Sequence, residues 1–327
     1  MLFFKLFANC VPIDGFAINA IYDLQNNYLL YIDKIIYDIL LDSANLSICE
    51  IKEKYNHEYD EGIKLYFEEF VGSGIAHYTT KPEFFPILDT TWEYPGIIRN
   101  ATLEFTSESD YELVQVIEEL ESLGCEDIQI RFFDVNFLEI KKILSCFNHS
   151  RVRSFELFLE NCKLIDYDLI DMVDNIKRIS HVFVSSSCDI DNIQHKRMSV
   201  FKKKLVKGMI APHSKSSLYP TLDVFCESHH FDCGSNAKIA VNCNGDILNF
   251  IGHPETFGNV ITDSLESVAI SDEFQASWTI KKSMIKKCSG CHFRFCCLHE
   301  SPITINNGVF EYTHECSFNP ITNEWKS

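Results

Sequence analysis

The sequence predicts an α/β protein built of three units, and three observations carry that expectation. Between residues 96 and 226, apolar runs of strand length alternate with amphipathic runs of helical period, the pattern of βα units around a parallel sheet. Before this stretch, a hairpin pattern is followed by three helical patterns. After it, five of the 14 cysteines crowd between residues 288 and 316. The 327 residues suit two or three domains, and a hydrophobic fraction of 46% excludes wholesale disorder. A net charge of −18 argues against a binder that tracks nucleic-acid phosphates. No apolar run reaches the ~18 residues that a membrane-spanning helix needs. Residues 1–16 hold one lysine and no Ala-x-Ala-like cleavage site, unlike a signal peptide. A cytoplasmic chain is expected, with cysteines as thiols or metal ligands rather than disulfides.

Within residues 1–80, stretches 17–24 and 28–33 are β-like runs around the polar turn Gln25-Asn26-Asn27. Residues 34–41 have helical spacing. Ser47-Ile48-Cys49-Glu50 has the form of a capping box, in which serine and glutamate each accept the other's free backbone amide; it opens a helix to Tyr55. Residues 57–71 are amphipathic, with Ile63, Tyr66, Phe67 and Phe70 recurring on one face. Gly72-Ser73-Gly74 stops that helix, and 75–78 follow as a short strand. A hairpin, three helices and a terminal wing make a winged-helix arrangement. Residues 81–95, with Pro82, Pro86 and Pro95, read as a strap.

In the middle unit, strands are expected at 97–105, 127–133, 152–160 and 179–185. Helices are expected at 110–123, 136–147, 166–176 and 192–206, and one more strand at 222–227. About four to five βα units are fewer than a closed barrel needs, so a partial barrel with right-handed crossovers is expected. Beyond it, runs 238–241 and 247–250 flank Asn244-Gly245, a strong hairpin signal. Residues 257–260 are turn-like and 264–278 helical. The expected domains are 1–80, 95–227 and 228–327.

The nine cysteines before residue 288 are scattered singly and read as small buried apolar residues. Cys288-Ser289-Gly290-Cys291 differs. A C-x-x-C turn lets two thiolates meet one ion, with Gly290 easing the turn. Cys296, Cys297 and Cys316 follow, and two further thiolates complete a four-sulfur set suited to zinc or an iron–sulfur cluster. Lys286, Lys287 and Arg294 offset its negative charge. His229-His230 with Asp232 and Cys233 reads as a polar loop. His299-Glu300 and His314-Glu315 read as ordinary polar positions flanking the thiols. No phosphate-cradling glycine pattern is present.

The string Cys288-Ser289-Gly290-Cys291-His292-Phe293-Arg294-Phe295-Cys296-Cys297, then His314-Glu315-Cys316-Ser317-Phe318-Asn319-Pro320 and Trp325, resembles the SPASM domain of radical-SAM peptide maturases. It looks most like the SPASM maturation proteins found beside ATP-grasp peptide ligases. The resemblance covers 220–327 by motif, 95–220 by a radical-SAM-like architecture, and 1–80 by the topology of the PqqD-like modules that bind leader peptides. It implies that Cys288, Cys291, Cys297 and Cys316 hold an auxiliary [4Fe–4S] cluster, with structural zinc as the alternative and Cys296 as the reserve ligand.

The departures matter equally. A radical-SAM barrel has C-x-x-x-C-x-x-C after its first strand; here Thr106–Tyr111 contains no cysteine. No Gly-Gly-Glu-type loop follows the second strand, Asn249-Phe250 stands where another cluster cysteine falls, and Ser301 replaces one more. SAM is therefore not expected as a cofactor, because the chemistry belongs to a cluster whose ligands are missing. The resemblance implies a maturation protein for a ribosomally synthesised, post-translationally modified peptide. It would bind the precursor's leader and act with an ATP-grasp ligase, without radical-SAM chemistry, and with neither nucleic acid nor membrane as partner. Strand addition to the hairpin edge at Ala20, Ile21, Tyr22 and Asp23, with Leu65, Tyr66 and Phe70 of the third helix as groove wall, would take the peptide. An atypical iron–sulfur peptide-modifying enzyme is the alternative.

Overall fold

The computed structural model describes residues 1–160, 167–185, 195–201, 204–210 and 215–326. At the N-terminus, β1 (Phe3–Leu6), β2 (Cys10–Ile13), β3 (Asn19–Asp23) and β4 (Tyr28–Ile32) precede α1 (Lys34–Ser43), α2 (Ile48–Lys54), α3 (Asp60–Gly72) and β5 (Ala76–Thr79). The sequence reading omitted β1 and β2. They complete the unit by pairing β1 with β5 and by making a three-stranded antiparallel sheet in the order β2-β3-β4. α2 opens on the capping box, with the Ser47 amide donating to Glu50 at 2.8 Å. α3 starts at Asp60 rather than at His57, because Asn56 and His57 have φ of 50° and 61°, left-handed values that a right-handed helix excludes.

β3 is buried along its whole length. Its period of two explains this. Ile21 packs toward the helices with Phe67 and Phe70, whereas Ala20 and Tyr22 pack toward the cysteine segment with Phe293 and Phe318. The N-terminal sheet is thus covered on both faces.

The middle sheet starts with β6 (Asn100–Phe105), β7 (Asp127–Phe132), β8 (Ser154–Leu159) and β9 (Ile179–Ser185), all parallel, with α4 (Leu113–Ser122), α5 (Phe137–Cys146) and α6 (Tyr167–Asn175) as crossovers. The helix expected at 192–206 is overturned where it is described: β10 (Met198–Phe201) pairs in parallel with β9, and edge pairing outweighs the helical pattern. Residues 192–194 and 202–203 of that expectation lie outside the described residues. The strand expected at 222–227 is instead α7 (Leu222–His230). Thr221 is the reason, since its hydroxyl accepts the Val224 amide at 3.3 Å and so caps a helix.

β11 (Lys238–Val241) and β12 (Asp246–Leu248) form the expected hairpin, with Gly245 at φ 84° in its turn. β13 (Gly258–Asn259) adds to β12 where only a turn was expected. β11 also pairs in parallel with β6, so one eight-stranded sheet, β10-β9-β8-β7-β6-β11-β12-β13, runs across the boundary expected at 227/228. The helix expected at 264–278 breaks into α8 (Leu265–Ala269) and α9 (Asp272–Gln275), because the Ser271 hydroxyl caps a new start by accepting the Phe274 amide at 3.3 Å.

Strand alternation gives this sheet two unlike faces. Leu103, Ile130, Leu157 and Val182 point under the helices into the largest core, which Trp278 and Phe274 complete. Each such side chain contributes about 1.5–3 kcal/mol by burial. The opposite face carries Thr102, Glu104, Gln129, Arg131 and Glu156, at the alternate positions of β6, β7 and β8.

Candidate functional site

Residues 286–296 form turns without helix or strand. The Cys291 amide donates to the Cys288 carbonyl at 2.9 Å, and the Arg294 amide to the Cys291 carbonyl at 3.1 Å, so the knuckle is a chain of tight turns. Gly290 is needed for space rather than for φ, which is not left-handed there. An added Cβ would overlap the ring of Phe16. The four expected ligands share one neighbourhood. Burial chiefly, with neighbouring sulfurs adding to it, pushes the Cys288 and Cys291 thiols up to about 12; Cys291 and Cys316 act on Cys288, and Cys297 and Cys316 on Cys291. Burial raises Cys297 as well, with Cys288 adding to it.

The sulfurs are also hydrogen-bonded in a recurring way. The Phe293 amide donates to Cys291, the His299 amide to Cys297, and the Phe318 amide to Cys316, the last at 3.4 Å. In each case the donor is two residues on, and each bond favours thiolate over thiol. Lys282 supplies a cation. It is 3% exposed, ion-paired with Asp232, and lowers both Cys288 and Cys297. Among the described residues, no group of three or more histidine, cysteine or acidic side chains is arranged to hold a metal ion. The sulfurs thus have amide hydrogen bonds and a buried ammonium that favour thiolate, the donor chemistry a tetrathiolate site uses, but the described residues do not form a closed ligand set.

Cys296 turns the other way. Its sulfur accepts the Tyr22 hydroxyl at 3.4 Å, and the same hydroxyl donates to the His292 carbonyl at 2.6 Å. The reserve ligand is thus part of the contact between the N-terminal sheet and the cysteine segment. His292 is buried beside it, and burial with the nearby Arg294 charge brings its imidazole down to about 4, so it is neutral.

The expected peptide-binding residues divide. β3 is the middle strand, hydrogen-bonded to β2 on one side and β4 on the other, so Ala20, Ile21, Tyr22 and Asp23 offer no edge to an added strand. Phe70 is 3% exposed in the helical core and Tyr66 packs on it, whereas Leu65 is 64% exposed. In this sheet β2 and β4 are the edge strands, and on β4 Tyr28 and Tyr31 are 59% and 50% exposed. Sequence reading missed this because β2 lies in a segment with Pro12 and no clear alternation.

Other polar positions have ordinary partners. His229 stacks on Phe295 with ring centroids 4.4 Å apart, and His230 bonds the Thr90 carbonyl at 2.8 Å, so the two do not converge. Asp232 serves Lys282 and the Tyr312 hydroxyl. A polar face of the sheet, which sequence reading overlooked, lines a cavity of about 270 Å³ with Thr102, Gln129, Glu156, Lys238 and Glu300. Deeper in, buried Glu104 and Arg131 pair at 3.6 Å. The alternation in NATLEF and DIQIRF was the available signal.

No family model matches this chain, and no curated protein sequence does. Among solved structures it is similar to Streptococcus suis SuiB bound to S-adenosylmethionine, at 12% identity and a TM-score of 0.35 over 90% of this chain and 94% of that one. It is similar also to SuiB bound to its precursor peptide SuiA, at 10% identity and a TM-score of 0.35 over the same shares. Likeness this distant carries no functional conclusion.

Proposed function

We propose that this chain is a maturation protein for a ribosomally made peptide, one that binds the precursor and presents it to an ATP-grasp ligase without radical-SAM chemistry of its own. The observation that carries the reading is the edge strand β4, which is unpaired on its outer side and has Tyr28 and Tyr31 exposed along it, in a small sheet whose two faces are covered. An extended leader peptide gains main-chain hydrogen bonds at such an edge, and exposed side chains beside it give selectivity. The loop that follows β6, Thr106–Tyr111, contains no cysteine to hold a SAM-cleaving cluster, in keeping with a binding rather than a radical role.

Cys288, Cys291, Cys297 and Cys316 would hold a [4Fe–4S] cluster or zinc. Four protein thiolates leave no open position on the metal, so the group would supply stability rather than reactivity. The test is titration of the full chain with the precursor peptide encoded beside it. Tyr31→Lys should weaken binding roughly tenfold, as expected for loss of an exposed aromatic anchor, while leaving the melting temperature unchanged. Absence of binding by the native chain would sink the proposal.

A further inference from the structure

We propose that the cysteine knuckle is the seat of the N-terminal unit, so that metal binding by the four thiols fixes the peptide-binding unit against the rest of the chain. This inference rests on the thiol-site and peptide readings above and adds the coupling between them.

Alternate residues of the knuckle face the N-terminal unit. The Gly290 carbonyl accepts the Phe16 amide at 2.7 Å, and the Phe16 ring fills the space a Cβ would take. The His292 carbonyl accepts the Tyr22 hydroxyl at 2.6 Å, and Cys296 accepts the same hydroxyl at 3.4 Å. Arg294, 8% exposed, ion-pairs with Asp14 and donates to its carbonyl at 2.6 Å. Gly290 and His292 flank Cys291 in the chain, Cys296 precedes Cys297, and Arg294 lies three residues from each of these two thiols.

Arg294 joins the two sides directly, because the nitrogen that bonds Asp14 also bonds the Cys291 carbonyl at 3.1 Å. No helix or strand runs through residues 286–296; short turns hold them, tied to the rest of the chain at their two ends by the Lys286 amide on the Phe310 carbonyl at 3.0 Å and the Tyr219 amide on the Cys296 carbonyl at 2.7 Å. Cross-linking Cys288, Cys291, Cys297 and Cys316 through one ion removes the other shapes of this loop. The seat is then formed in advance, and by reciprocity docking of the N-terminal unit strengthens metal binding.

Hydrogen exchange of the full-length, reduced, metal-stripped chain, with and without zinc ions alone, tests the coupling. Zinc should bind at one ion per chain and slow exchange of the amides in residues 13–22 by roughly tenfold, with α4–α6 unchanged. Tyr22→Phe and Asp14→Asn, which remove seat hydrogen bonds but no ligand sulfur, should keep the zinc stoichiometry and lose part of that slowing. Zinc binding that leaves residues 13–22 unchanged, or no zinc uptake, overturns the inference. Failure of the precursor peptide to bind in either state would refute the peptide reading alone and leave the coupling standing.

Discussion

Gly290 and Gly234 are both small because something occupies the place of a Cβ, but their neighbours differ in stiffness. At Gly290 the neighbour is the ring of Phe16, which is 56% exposed and free to swing. At Gly234 it is the backbone carbonyl of His299, which is not. Overpacking costs about 1–3 kcal/mol, with rigid neighbours at the upper end. Gly234→Ala should therefore destabilise clearly more than Gly290→Ala in urea unfolding, and equal losses would show that the His299 backbone yields. Lys282 is the other residue whose role is set by its surroundings. Burial alone would lower its amine from 10.5, but Asp232, Tyr312 and the sulfurs of Cys233 and Cys297 more than reverse this. Its folded value thus lies above the unfolded one, so its contribution is present through neutral pH and is lost only at strongly alkaline pH. Lys282→Met leaves Asp232 buried and charged, and should cost roughly 3 kcal/mol or more. Adding Asp232→Asn to Lys282→Met should restore part of the loss, as a double-mutant cycle in urea would measure.

At the scale of elements, what was legible in the sequence was whatever a local rule governs. The β6–α4–β7–α5–β8 alternation, the Ser47–Glu50 box and the Asn244-Gly245 hairpin are each written within a few residues, and each occurs where expected. The errors arose where one capping residue or a distant partner decides. Thr221 turns 222–230 into a helix, and β9 recruits 198–201 as a strand. The pairing of β3 on both edges depends on β2, which the local pattern hides, and that is why the sequence offers as an edge what the structure makes a middle strand. In the candidate site the thiol spacing was legible, but the even-numbered residues facing Tyr22 and Asp14 were not, because their partners are some 270–280 positions away in the chain. Glu119 on α4 shows how such distant contacts stabilise elements. It accepts the Ser264 hydroxyl and the Glu266 amide, both at 3.0 Å, at the start of the five-residue α8. Burial alone would raise its carboxyl, but bonds from Gln115, Glu266 and Ser264 outweigh that and hold it below 4.5. A depressed folded value means the contribution is present above the unfolded pKa and is lost as pH falls through the folded one. Glu119→Gln should cost about 1 kcal/mol at neutral pH and little in acid, a difference that urea unfolding at two pH values would read.

At the scale of the whole molecule, the sheet rather than the cysteine segment decides where the chain divides. The boundary expected at 227/228 separates β6 from β11, yet these strands pair over four residues, from Asn100↔Lys238 to Leu103↔Val241. The largest core draws Ile239, Val241, Leu265, Phe274 and Trp278 from beyond that boundary. A chain ending at residue 227 would thus expose one edge of β6 and the apolar underside of α4 together. An unpaired hydrophobic edge recruits strands from other molecules. Such a truncated chain should associate in size-exclusion chromatography with light scattering, and its β6 and β7 amides should lose their hydrogen-exchange protection. Adding residues 228–280, which bring β11–β13, α8, α9 and Trp278 but no thiol of the knuckle, should restore most of that protection, because the missing neighbours are apolar and β-paired rather than metal-bound. A monomeric, fully protected chain ending at 227 would instead mean that the middle unit folds on its own and that β11 is only an accessory edge.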